Sequence, residues 1–250
     1  MQVIWEVSQH DIERLREFVQ AHQQNPFVMA RIGRNLAVQK RAVGRAEFWE
    51  QMVGMRLTSV QRSGPGSHVV RFLRTRPFPI SYDSLQQHAD VEAFMKVTLA
   101  QHRGIRFTTK IPSDLHKNYR CLEDGEWAVL LPTINCLTVP EGRDVERNVA
   151  RYLQDKLSGF GPKQARNLLQ ALGLTRYEIP IDSRITKWFS EFGFPMKLSS
   201  APLSDPGYYE FVLDGIQALC EAAELMPCVV DAAIFASYDG DGWTADNVVY

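Results

Sequence analysis

Residues 157–182 read LSGFGPKQARNLLQALGLTRYEIPID. Two glycines and a proline (Gly159, Gly161 and Pro162) precede Lys163, and Asp182 follows the lysine nineteen positions later, directly after Ile-Pro-Ile. Glycine adopts backbone conformations closed to other residues and lets another backbone come close, while proline suits the first position of a helix, where its missing N–H would be unpaired anyway. The stretch therefore reads as a tight reversal opening a helix, its first amides turned outward at the end where the macrodipole attracts anions. Such a device holds a phosphate without needing a basic side chain. A lysine at the second position of that helix has two uses: charged, it reaches an anion; neutral, it is a nucleophile, and the positive dipole end disfavours the ammonium form. Asp182 either caps the following helix, SRITKWFSEF, or stabilises positive charge developing on a reacting group. Each residue alone is ordinary in its structural role, whereas the conjunction of glycine hairpin, lysine and aspartate favours chemistry.

The elements that must position these residues are helical in pattern. From Lys163 to Leu172 the apolar residues Ala165, Leu168, Leu169 and Leu172 form one stripe, and Gly173 ends it. Before the hairpin, EGRDVERNVARYLQDKL is helical to Leu157. Upstream, Ser8 caps a helix carrying Ile12, Leu15, Phe18 and Val19, a second helix spans 46–61 until SGPG stops it, and a third lies around 84–102. Residues 105–140 read as less regular, with turns or a short hairpin around EDGEW. Two late helices, DPGYYEFVLDGIQALCEAA and PCVVDAAIFASY, carry Pro206 and Pro227 near their first turns. The tail YDGDGWTADNVVY reads as irregular, and its DGDG is not a calcium loop, because the twelfth position from Asp239 is Tyr250 rather than Glu. The expected fold class is all-α, without internal repeats.

With 250 residues, 45% of them apolar, the chain can build one large core or two small ones around a cleft. No apolar run is long enough to cross a bilayer and the first residues lack the phases of a signal peptide, so an intracellular protein is expected, in the cytoplasm or nucleoid if bacterial. Cys121, Cys136, Cys220 and Cys228 are scattered without a CxxC or a histidine pair and read as buried thiols. A net charge of −1 argues against a polyanionic partner, but the charge is uneven. Nine of the 29 acidic residues and none of the 28 basic ones lie in 201–250, leaving 28 against 20 in the first 200. Residues 31–76 hold ten Lys or Arg against Glu47 and Glu50. One face can thus attract a polyanion while another repels it.

The phrase L-S-G-F-G-P-K-x-A resembles the helix-hairpin-helix DNA-binding element. More narrowly, it resembles the hairpin of the DNA glycosylase superfamily that includes endonuclease III and 8-oxoguanine DNA glycosylase. The resemblance is specific over 143–191 and suggestive over 46–75. In members that excise a base and also cut the strand, the matching lysine is the nucleophile, and an aspartate follows in a phrase of the form Pro-Val-Asp-Thr-His; Lys163 and Asp182 stand in those places. The resemblance implies that Lys163 attacks C1′ of the target nucleotide, that Asp182 stabilises the charge on the sugar, and that a lysine Schiff base then permits β-elimination. It implies Gly159 and Gly161 on the DNA backbone, Gln61 and Arg62 of MRLTSVQRSGPGS as wedge residues, and Asp231 and Phe235, four apart on the last helix, facing the base. The partner implied is double-stranded DNA carrying a damaged or modified base, bound by a monomer with no membrane attachment, and no metal or organic cofactor is implied. The fold implied has two lobes, 43–174 and the combination of 1–42 with 175–250, with Lys163 and Asp182 in the cleft between them.

The sequence also departs from that pattern. Ser183 and Arg184 stand where relatives carry Thr-His, which leaves Arg184 to reach a phosphate. Only Cys220 and Cys228 lie near the C-terminal end, against the four cysteines of the iron–sulfur site in endonuclease III-like members, so no cluster is expected. A lysine at this spacing without a cluster most resembles the branch acting on oxidised purines such as 8-oxoguanine. Another lesion, a naturally modified base of foreign DNA, or a non-enzymatic protein that uses the hairpin only to hold phosphates are the alternatives. The acidic C-terminal fifty residues are expected to face away from a duplex.

Overall fold

The computed structural model of the chain describes residues 4–59, 61–238 and 244, and every regular element among them is helical. Most of the DGDG tail therefore lies outside the described residues. Ser8 caps α1 (Gln9–His22) through the Asp11 N–H. A helix that the sequence reading did not anticipate follows: α2 (Pro26–Asn35), opened by an Asn25 side chain that accepts from the Phe27 N–H and by Pro26 at its first position. Next come α3 (Arg45–Thr58), α4 (His68–Leu73), α5 (Tyr82–Leu85) and α6 (Val91–Gln101). The single helix expected around 84–102 is thus two, because the Asp90 carboxylate caps a new start through the Ala93 N–H at 2.9 Å.

Residues 105–140 correct the expectation of turns or a hairpin. They form α7 (Lys110–Cys121), a π-type turn over Leu122–Glu126, and α8 (Trp127–Asn135). Pro112 is harmless because it lies in the first turn, where no N–H is needed, and Gly125, at φ 115°, takes the kink that keeps the two helices in one run. The chain continues through α9 (Arg143–Lys156), α10 (Pro162–Ala171), α11 (Ser183–Phe192), α12 (Pro206–Ala222) and α13 (Pro227–Tyr238). After α10, Gly173 at φ 73° lets the Leu174 N–H reach Leu169 O at 2.9 Å, closing the helix by a Schellman turn.

The buried apolar side chains fall into two clusters. One draws only on residues from Val43 to Leu174, with Phe48, Trp49, Met52, Leu115 and Leu168 inaccessible to solvent. The other joins Leu15, Val19, Phe27 and Val28, from α1 and α2, to residues between Ile179 and Ala236.

Residues 175–182 pass between the clusters without helix and are held by buried polar groups. Glu146 accepts from the N–H groups of Arg176 at 2.8 Å, Tyr177 at 2.7 Å and Glu178 at 3.1 Å, and from the Thr175 hydroxyl. Glu178, itself fully buried, pairs with Arg166 at 2.6 Å and Arg147 at 3.0 Å. The Tyr209 hydroxyl accepts from the Ile181 N–H and donates to Ile179 O. Burial pushes the Glu146 carboxyl above the ordinary carboxylate range, against the pull of the Thr175 hydroxyl and the three amides.

Removing this anchor leaves several buried donors unpaired, so Glu146→Ala is expected to lose about 3 kcal/mol or more in urea unfolding. Lys40, whose Nζ is buried without a hydrogen-bond partner among the described residues, offers a pH test. Burial, with the Arg176 cation beside it, pushes its amine down to about 8 from an ordinary 10.5. The unfolded chain therefore binds more protons in that window, and the stability of wild type relative to Lys40→Met rises from pH 8 to pH 10.5. A difference that stays flat across those pH values in chemical denaturation contradicts this.

Candidate active site

The hairpin at 157–162 rests on α7, in the stretch where the sequence suggests irregular chain. The Asn118 side chain of α7 donates to Ser158 O at 3.1 Å and accepts from the Ser158 N–H at 2.6 Å, and the Ser158 hydroxyl donates to Asp114. Beneath the turn, Asp114 forms a buried ion pair with Arg56 of α3 at 2.6 Å. Gly159 takes φ +80°, and a Cβ there would meet Arg56 Nε at 2.7 Å and Asp114 Oδ2 at 2.9 Å. Its glycine is therefore required twice, by conformation and by space. Gly161 is different: it is the exposed N-cap of α10, with no side-chain cap on the helix and nothing within 4 Å of a Cβ. The N-terminus of α10 is thus left without a side-chain acceptor for its first amides, which an oxyanion could supply.

Lys163 and Asp182 line one cavity of about 110 Å³. Lys163, half-buried, makes no ion pair among the described residues. Asp182 Oδ1 accepts from the N–H groups of Arg184 at 2.8 Å and Ile185 at 3.1 Å, capping α11, and Oδ2 accepts from Arg184 Nε at 3.2 Å. Its structural and chemical uses are compatible, since the cap fixes the carboxylate at the cavity wall.

The floor is a buried polar cluster. Asp231 Oδ2 accepts from Arg31 at 2.7 Å and from the Gln170 amide at 2.9 Å. Burial pushes the Asp231 carboxyl up, the Arg31 cation opposes this, and the nearby charge of Asp182 reinforces it. Phe235 stacks on Phe27 with ring centroids 4.5 Å apart and 16° between planes, and the Arg184 guanidinium lies 4.0 Å from the Phe235 centroid. The two neighbours cannot share one face, so the ring is covered on both sides. Arg184 contacts the pocket's own carboxylate and aromatic ring in this arrangement.

The structure thus brings Lys163, Asp182, Arg184, Asp231 and Phe235 to one cavity, with Gly159 and Gly161 on the hairpin leading to it. Gln61 and Arg62 line a separate groove with His68, Arg71 and Arg106. The Gln61 side chain is used within the chain, donating to Leu57 O and accepting from the Arg106 N–H at 3.0 Å. The sequence reading missed Phe27, Arg31 and Arg34, all on the unanticipated α2 and all lining the cavity. The signal that finds them is the Asn25-Pro26 pair, a cap followed by a first-position proline. No three or more His, Cys, Asp or Glu side chains group to hold a metal among the described residues.

The two hairpin glycines should separate on substitution. Gly159→Ala, strained in backbone and pressed against the Arg56–Asp114 pair, is expected to lose at least about 2 kcal/mol in chemical denaturation. Gly161→Ala, a poorer N-cap in open space, is expected to lose under about 1 kcal/mol.

No family model matches the chain, and no curated protein matches it. Among solved structures it is similar to that of Tm1821, the 8-oxoguanine DNA glycosylase of Thermotoga maritima, with a TM-score of 0.65 and 13% sequence identity, covering 94% of this chain and 100% of that one. At that identity the likeness is one of backbone architecture: the chain has an all-helical DNA glycosylase fold.

Proposed function

We propose that the protein is a DNA glycosylase with strand-cleaving lyase activity, acting on double-stranded DNA that carries a damaged or modified base, with an oxidised purine such as 8-oxoguanine as the favoured substrate. The observation that carries this reading is the convergence of Lys163, at the start of the uncapped α10, and Asp182, at the cap of α11, on one cavity. The fold likeness to an 8-oxoguanine DNA glycosylase supports it. The two apolar clusters serve as the lobes, 43–174 on one side and 1–42 with 175–250 on the other, and the duplex lies along the cleft with the monomer bending it open.

The hairpin amides at Gly161 and beyond hold a backbone phosphate, and Arg62 meets another in its groove. The flipped base enters between Lys163 and the Asp231–Phe235 floor, displacing Arg184 from the Phe235 ring toward a phosphate. Neutral Lys163 Nζ donates its lone pair to C1′. The glycosidic C1′–N bond breaks, and the base leaves with the electron pair and takes up a proton. The Asp182 carboxylate stabilises the positive charge on the sugar and accepts a proton from Nζ. Opening of the sugar ring gives an imine between Nζ and C1′. Loss of a C2′ proton then expels the 3′ phosphate, and water hydrolyses the imine to restore the amine.

Borohydride reduction during incubation with an abasic-site duplex tests the nucleophile. Wild type is expected to give a covalent protein–DNA adduct that disappears in Lys163→Gln, and Asp182→Asn is expected to slow base release about a hundredfold or more. A protein that only binds DNA gives no adduct and releases no base. Base release that survives in Lys163→Gln with the strand intact would assign the attack to water instead.

A further inference from the structure

Two non-glycine residues among those described have a positive φ. Glu224 does so in the turn after α12, where helix ends commonly turn left-handed. Phe107, at φ +60°, ends no helix and is a bulky aromatic, for which this conformation is unfavourable. It is also 41% exposed. Backbone strain that persists at an exposed aromatic is held by its surroundings and commonly marks a functional site.

The surroundings of Phe107 hold it from several directions. The Gln61 side-chain oxygen accepts from the Arg106 N–H at 3.0 Å, and Phe107 O accepts from the Ile111 N–H at 3.0 Å in the first turn of α7. Two residues earlier Ile105 is buried in the larger core, and His102 packs edge-on against Phe72 with centroids 4.7 Å apart. Gly104 lies so close to the His68 ring that a Cβ would come within 2.3 Å of it. The loop 102–107 is therefore fastened to the segment 61–72, yet its one large aromatic is left outside the core. The Arg106 guanidinium lies 5.0 Å from the Phe107 ring centroid.

That same Arg106, next in the chain to Phe107, lines a groove with Arg62, His68 and Arg71. The groove and the cavity draw on neighbouring residues: Thr58 and Ser63 line the cavity, and Gln61 and Arg62 line the groove. A cationic groove with a rigidly presented aromatic at its rim suits a strand of nucleic acid: phosphates along the cations and a base against the ring. Phe is also among the side chains that wedge between base steps of a duplex.

We propose that Phe107 is the residue that stacks into the DNA duplex beside the flipped nucleotide, and that Gln61, rather than entering the stack, fastens the Phe107 loop. This rests on the glycosylase reading above. The two kinds of contact respond differently to salt: stacking is insensitive to it, whereas arginine–phosphate contacts are not.

The test is fluorescence anisotropy with a duplex containing a tetrahydrofuran abasic analogue, for wild type, Phe107→Gly, Phe107→Gln and Phe107→Trp at several salt concentrations. Phe107→Gly relieves the backbone and is expected to melt no lower than wild type. Both Phe107→Gly and Phe107→Gln are expected to bind about tenfold more weakly, with the slope of affinity against salt unchanged, while Phe107→Trp binds close to wild type. If the glycine and glutamine variants bind as tightly as wild type, the stacking role is overturned while the glycosylase reading stands. If wild type binds neither this duplex nor an intact one, both are overturned.

Discussion

The arrangement depends on two buried carboxylates that hold a stretch of chain having no secondary structure of its own. Residues 175–182 carry exposed-type backbone amides through the interior, where each unpaired donor costs free energy. Glu146 takes three of those amides and the Thr175 hydroxyl, and Glu178 is neutralised between Arg147 and Arg166. Arg166 lies on α10 three residues after Lys163, and Glu178 lies four residues before Asp182. The Arg166–Glu178 pair therefore ties the helix bearing the lysine to the segment bearing the aspartate. Buried ion pairs contribute little net stability, so the usefulness of this one lies in fixing a relative position.

The hairpin obeys the same logic at smaller scale. A turn whose helix has no side-chain cap must take its rigidity from the other side. Asn118 and Asp114 supply it by binding Ser158, and Asp114 is held in turn by Arg56. Gly159 is compressed against this support while Gly161 faces empty space. One glycine answers to the protein's own packing and the other does not.

Much of the helical pattern was legible in the sequence because apolar periodicity and caps agree there: Ser8, the Pro162 start, the Gly173 stop and the Asp182 cap all coincide with observed helix ends. What was illegible involved local signals whose meaning depends on position. Pro112 and Gly125 ordinarily mark irregular chain, but here one falls in a first turn and the other in a kink between two helices. Asp90 looks like one more polar residue on a helix face until it is seen to start a new helix. Arg31 went unnoticed because its role requires Asp231, 200 residues away, and no local spacing encodes that pair. Gln61 is a wedge residue only by the family resemblance, whereas its bonding to Arg106 depends on a loop whose geometry the sequence does not announce.

The two apolar clusters also differ in when they can be completed. The larger one uses a contiguous block of chain, Val43 to Leu174, and needs nothing outside that block. The smaller needs Leu15 and Val28 from the beginning together with Ile216, Val230 and Ile234 from near the end. α1 and α2 therefore gain most of their apolar cover from α12 and α13, whose residues follow the whole first block in the chain. Helices made before the first block are buried after it, and the cavity that α2 lines comes into being only once Asp231 and Phe235 of α13 are in place.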